Sequence, residues 1–180
     1  MLRIVPFRIP APTSVSLPRV FGVVLALLSA TSSPGLRGDE PPQAQVPFPA
    51  GFREWVHVKS GVIGPEFSMY ATEGGIHHIY ANKTALAGFR SGTFEDGSIL
   101  VYDLLSLSEK GGVGTEGSRR RIDVMVRDSK RYPATGGWGF GRFMGDDRER
   151  DVLTSDIRET CYQCHEKRKA QGFVFSDLRN

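Results

Sequence analysis

The run Ser98-Ile99-Leu100-Val101-Tyr102-Asp103-Leu104-Leu105-Ser106-Leu107 follows the turn-forming triplet Glu95-Asp96-Gly97. Its aliphatic, period-2 pattern predicts a strand, with Ile99, Val101, Asp103 and Leu105 on one face and Leu100, Tyr102 and Leu104 on the other. Downstream, Glu109–Gly117 holds four glycines and reads as a mobile loop. Arg119–Arg127 is the next strand, with Ile122, Val124 and Val126 alternating against Arg121, Asp123, Met125 and Arg127. Gly136–Met144 is a further one, carrying Trp138, Phe140 and Phe143. Upstream, Asn82 can cap a short helix through Ala85–Phe89, because its side chain can accept an otherwise unpaired backbone N–H. Before it, Ile76, His78 and Tyr80 share one face of a strand and His77 and Ile79 the other, while Phe52–Val58 alternates weakly. Short connections between successive strands favour antiparallel pairing. Asp151–Lys169 predicts one long helix, and Phe173-Val174-Phe175 a last short strand. The pattern defines an α+β single domain, mainly antiparallel β-sheet with a C-terminal helix.

The ends of the 180-residue chain follow other rules. Residues 1–33 contain Arg3, Arg8 and Arg19 and no acidic residue, followed by the eleven-residue apolar run Val20–Ala30 and the small residues Thr31, Ser32 and Ser33. That is the anatomy of an export signal cleaved near Ser32 or Ser33, and the run is well short of the roughly 20 residues a bilayer span needs. The alternative is an uncleaved N-terminal anchor. No cysteine lies near the run, which argues against a lipoprotein. The three arginines account for the whole formal charge of +3. The mature chain is therefore neutral overall and carries no nucleic-acid footprint. No later segment is apolar enough to span a membrane, so the mature protein is expected to be periplasmic or otherwise exported. Residues 34–50, with Pro34, Pro41, Pro42, Pro47 and Pro49, read as a linker, and the folded domain is expected over 51–180.

The only two cysteines occur as Cys161-Tyr162-Gln163-Cys164-His165. C-x-x-C-H is the attachment signature of c-type haem. On a helix, positions i and i+3 share a face, so both thiols can reach the two vinyl groups of one porphyrin. His165, at i+4 from Cys161, is placed under the iron as its ligand. Leu153 and Ile157 extend the row and would give the macrocycle an apolar wall. Competing readings are a disulfide between the cysteines, a zinc site and chance occurrence. A thioredoxin-like redox site belongs to a βα unit that this chain does not show. Zinc would need further ligands, and no second Cys or His pair at finger spacing exists. One covalent haem c, attached outside the cytoplasm, agrees with the export signal.

Four further motifs precede C-x-x-C-H in order: Gly74-Gly75-Ile76-His77-His78-Ile79-Tyr80, Asp96-Gly97-Ser98-Ile99-Leu100-Val101, Asp123-Val124-Met125-Val126-Arg127-Asp128 and Gly136-Gly137-Trp138-Gly139-Phe140. With them the chain resembles the cytochrome P-460 family, which includes the beta-type cytochromes c-prime, over roughly Phe52 to Arg179. The resemblance implies a β-rich homodimer, with one haem c per subunit, a proximal histidine and a vacant distal position. It implies nitric oxide or hydroxylamine as the small ligand. P-460 cytochromes oxidise hydroxylamine and carry a lysine–porphyrin cross-link; the c-prime members lack the link and bind nitric oxide. At the cross-linking position this chain has Tyr102, and the nearest lysines, Lys83 and Lys110, do not match it. The distal arginine of the enzymes corresponds to His77, and their proton-relaying glutamate to Asp123.

Each of these residues also has an ordinary structural reading. Tyr102 can be a core aromatic, Asp123 a surface ion pair of small worth, and one of His77 and His78 a plain sheet residue, since the two point to opposite faces. The leading function is a haem protein with an open distal site for small nitrogen oxides. In it Asp123 and His77 are the candidate catalytic residues, and Cys161, Cys164, His165 and Tyr102 contact the cofactor. The alternative is a periplasmic electron carrier with a six-coordinate haem, its sixth ligand drawn from Met144, Met125, Met69 or His77. Turnover would call for electron exchange with a small redox cytochrome.

Overall fold

A computed structural model of the chain describes residues 45–179. The export signal and all but the last part of the proline-rich linker lie outside the described residues. Five strands, β1 (Val56–Ile63), β2 (Gly75–Ala81), β3 (Ile99–Lys110), β4 (Val113–Arg127) and β5 (Trp138–Met144), form one antiparallel sheet in chain order. Three helices complete the fold: α1 (Tyr70–Glu73), α2 (Lys83–Ser91) and the C-terminal α3 (Ser155–Glu166). The expected α+β architecture is the observed one. No helix among the described residues is long and apolar enough to cross a membrane.

The alternation in Ser98–Leu107 gives the sheet two covered faces, each with its own core. Leu100, with Ala81, Trp138 and Phe140, packs under α2, Leu153 and the chain following α3. Val101, Ile122, Val124 and Phe143 pack on the other side against Val46, Phe52 and Tyr132. Val46 is 2% exposed, and its N–H donates to Asp151 Oδ2 at 3.2 Å, so the packed domain reaches back before Gly51. On that second face Asp103 is fully buried, its carboxylate accepting from Arg53 at 2.7 Å and Arg119 at 2.8 Å. Asn82 caps α2 as expected, its Oδ1 accepting the Ala85 N–H at 2.9 Å.

Four local expectations are corrected. Glu109–Gly117 is not a loop: β3 and β4 run through it as a hairpin whose last pair is Lys110 and Val113. Gly111 and Gly112 take φ of 59° and 78°, the two positive values that a tight two-residue turn matched to strand twist requires. The C-terminal helix begins at Ser155, with Thr154 as its N-cap, and ends at Glu166. Asp151 is drawn out of it because its carboxylate accepts the N–H groups of Val46, Arg142 and Leu153, while Val152 N–H donates to Arg142 O at 2.9 Å. Phe173-Val174-Phe175 forms no strand; Phe173 has φ 68° and folds back over α3. The first strand starts at Val56, after a short 3-10 turn Phe52–Glu54 that buries Phe52.

Candidate functional site

The helix that carries C-x-x-C-H is fixed to the sheet by a buried ion pair. Arg158 donates to Asp151 Oδ2 at 2.7 Å and to Leu153 O at 3.1 Å, and also to Phe140 O in β5. Both side chains are nearly inaccessible, 4% and 2% exposed. A buried pair of charges is tolerated only when such further hydrogen bonds satisfy it. Arg158 lies three residues before Cys161 and seven before His165, hence on the same side of the helix. Docking Arg158 against β5 therefore turns Cys161 and His165 towards the sheet. Leu153, expected on the helix, lies just before it in the core, and Ile157 is 44% exposed.

Both thiols are free, with Cys161 half-buried and Cys164 exposed. Burial pushes the Cys161 thiol up from its usual range, so the neutral form is favoured. His165 Nδ1 lies 2.7 Å from Phe173 O. A carbonyl only accepts, so Nδ1 carries the proton and Nε2 keeps its lone pair. Burial also lowers the imidazole's pKa, opposed by the Phe173 hydrogen bond and by Asp123. The ring contacts two phenylalanines, Phe140 at 5.3 Å and Phe175 at 5.0 Å between ring centres. Nε2 makes no hydrogen bond among the described residues.

The sheet register builds the opposing surface. Ile79, Tyr102, Asp123 and Arg142 stand side by side across β2 to β5, and His77, Leu104, Arg121 and Met144 form the next row on the same face. Asp123 accepts from Arg142 Nε at 2.5 Å and Nη2 at 3.0 Å, and from Arg121 Nε at 2.8 Å. Arg121 continues to Thr72 O at 2.6 Å and to Glu73, anchoring α1 at the rim. The charge on Asp123 acts on both His165 and Cys161, so this row and the helix motif converge. His77 stacks on Tyr102. Its Nδ1 is buried without a hydrogen-bond partner, and burial holds its pKa below the usual value.

Tyr102, Asp123 and His77 thus share the face on which the motif-bearing helix docks. His78 points away; its Nδ1 is 2.7 Å from Ser60 Oγ, and its Nε2 lies beside Glu116 at 2.7 Å. Of the methionines, Met144 is on the site face and 50% exposed, Met69 is 53% exposed, and Met125 packs against the core. Sequence reasoning missed Arg121, Arg142 and Arg158. The first was legible as the i, i+2 neighbour of Asp123 on one strand face, and the last as the helical neighbour of Cys161. Arg142 could be found only through strand register. A cavity of about 580 Å³ lies elsewhere, between α2 and the C-terminal tail, lined by Phe89, Phe94, Val174 and Leu178; it contains none of the motif residues.

Two free thiols one helical turn apart, beside an imidazole whose Nδ1 is anchored and whose Nε2 is open, are a donor set that fits a haem and its iron. The cytochrome P460 family model matches residues 49–176, nearly all of the described domain, and the chain belongs to that family. Membership implies a haem cofactor. No curated protein matches the chain.

Proposed function

We propose that this chain is an exported, homodimeric mono-haem cytochrome c whose open distal site binds or transforms small nitrogen oxides, nitric oxide foremost and hydroxylamine next. In this reading Cys161 and Cys164 form the two thioether links and His165 Nε2 is the axial ligand. Export is typical of the family and agrees with the signal-like residues 1–33. The single observation that carries the proposal is the His165 Nδ1–H to Phe173 O hydrogen bond. It supports the reading because it places the proton on Nδ1 and leaves the Nε2 lone pair free for a metal, the arrangement that outer-shell partners of metal-bound histidines give.

When bound, the haem would supply an iron to hold the nitrogen ligand and a path by which electrons taken from a substrate could leave. The protein's own groups then divide the remaining work. Tyr102 and His77 shape the distal face, and the Tyr102 phenol, pushed up to about 12 by burial, stays a hydrogen-bond donor at physiological pH. Asp123, clamped by Arg121 and Arg142, is the carboxylate placed to move protons if hydroxylamine is oxidised. A small redox cytochrome would accept the electrons.

The test is the ferrous absorption spectrum of the mature protein, produced with c-type maturation, before and after addition of nitric oxide. A five-coordinate haem c spectrum that changes with nitric oxide is expected. A red-shifted, broadened Soret band would reveal an extra porphyrin link and favour hydroxylamine oxidation. A six-coordinate low-spin spectrum unchanged by nitric oxide would overturn the proposal in favour of an electron carrier.

A further inference from the structure

The chain beyond α3 doubles back in a way that costs conformational freedom. Gly172 and Phe173 are both left-handed, with φ of 67° and 68°, and Phe173 is the one non-glycine residue with positive φ among the described residues. A bulky side chain is rarely found there, and such conformations persist only where their surroundings enforce them. Phe173 is held by its N–H donating to Arg168 O at 2.9 Å, by its 8% exposed ring in the core, and by stacking on Tyr162 at 6.2 Å. The result of this turn is specific: the Phe173 carbonyl points at His165 Nδ1, 2.7 Å away. Two residues on, the Phe175 ring meets the His165 ring edge to face at 5.0 Å and 78°. Phe175 remains 46% exposed, and the Arg168 guanidinium lies over it, 5.1 Å from the ring centre. Phe175 thus contacts both a cation and the imidazole, and the imidazole is also held by a backbone acceptor.

We propose that Phe173–Phe175 and Arg168 form a clamp on the outer side of His165 that fixes its ring plane and sets the donor strength of Nε2. The inference rests on His165 serving as the iron ligand. Phe173 O draws the Nδ1 proton and makes Nε2 a stronger donor. Phe175 blocks rotation of the ring, and Arg168 holds Phe175 in place through its cation–π contact. Phe175 and Arg168 are positioning residues, since neither touches the distal side.

Phe175→Ala and Arg168→Gln test this, because both side chains lie at the surface and their loss leaves the core intact. The readouts are the iron–histidine stretching band of the ferrous haem, by resonance Raman, and the midpoint potential. Loss of the clamp is expected to lower and broaden the band and to raise the potential, with the haem-to-protein ratio unchanged. Phe175→Tyr and Arg168→Lys are expected to restore the wild-type band. A band and potential unchanged in both Phe175→Ala and Arg168→Gln would overturn the clamp. If the wild-type protein itself shows no histidine band, the assignment of His165 as ligand has failed, and the clamp falls with it for a visibly different reason.

Discussion

The rings of His77 and Tyr102 lie stacked, with centroids 4.6 Å apart and planes inclined by 22°. Arg121 approaches the same tyrosine with its guanidinium carbon 5.9 Å from the ring centre. A phenol whose pKa is pushed up to about 12 by burial binds its proton more tightly in the folded protein than in the unfolded chain. Its contribution to stability is therefore complete below pH 10 and is lost as pH rises from there towards 12. Tyr102→Phe is expected to flatten that part of the stability profile, measured by urea unfolding at pH 9 and pH 11. An equally steep loss in the variant would show that another group titrates.

The stack itself depends on a glycine in the neighbouring strand. Gly61 pairs with His77, and a Cβ there would come within 2.6 Å of His77 Cε1. The ring, being the end of a side chain, would have to swing away. Gly61→Ala is expected to change stability by no more than about 1 kcal/mol, since strand alanine is no worse than glycine. The His77 Cε1 proton would lose the ring-current shift imposed by Tyr102, which NMR reads directly. An unmoved resonance would mean that the backbone yields instead.

The sheet was readable from sequence because a strand exposes alternate residues to different surroundings, as Ile76–Tyr80 and Arg119–Arg127 show. The same rule failed at Glu109–Gly117, where charged residues and glycines dilute the alternation, although Gly111-Gly112 is itself a hairpin signal. The start of α3 was misjudged for a non-local reason: Asp151 is held by Val46 and Arg142, distant in sequence, instead of joining the helix. At the candidate site, C-x-x-C-H needs only local spacing. The row of Tyr102, Asp123 and Arg142 needs the register of three strands. The Phe173 acceptor is a main-chain carbonyl, which leaves no mark in residue type.

Arg158 and Asp151 join the helix to β5, and each would leave the other as an unpaired buried charge. Arg158→Ala is expected to cost about 3–5 kcal/mol, while Arg158→Lys retains the charge and loses the forked geometry. Thermal unfolding measures the cost. The fraction of purified protein carrying haem should fall with it, because the undocked helix no longer presents Cys161 and His165 to the sheet. Full haem content and unchanged melting in Arg158→Ala would refute this account of how α3 is placed.

Asp123 separates the catalytic reading from gas binding. Its side chain is 26% exposed, and both oxygens are engaged by Arg121 and Arg142. Asp123→Asn keeps the shape and one acceptor but cannot take a proton. If this carboxylate moves protons during hydroxylamine oxidation, turnover should drop by about 10²–10⁴-fold, with nitric oxide affinity changed far less. Asp123→Ala should lower stability as well, by about 1–3 kcal/mol, because the Arg121 and Arg142 guanidinium groups then lose the carboxylate they share. Turnover measured beside melting temperature tells the two effects apart. Undiminished oxidation in Asp123→Asn would leave Asp123 as an ion-pair residue that orients Arg142 and Arg121, and would assign proton transfer to another group.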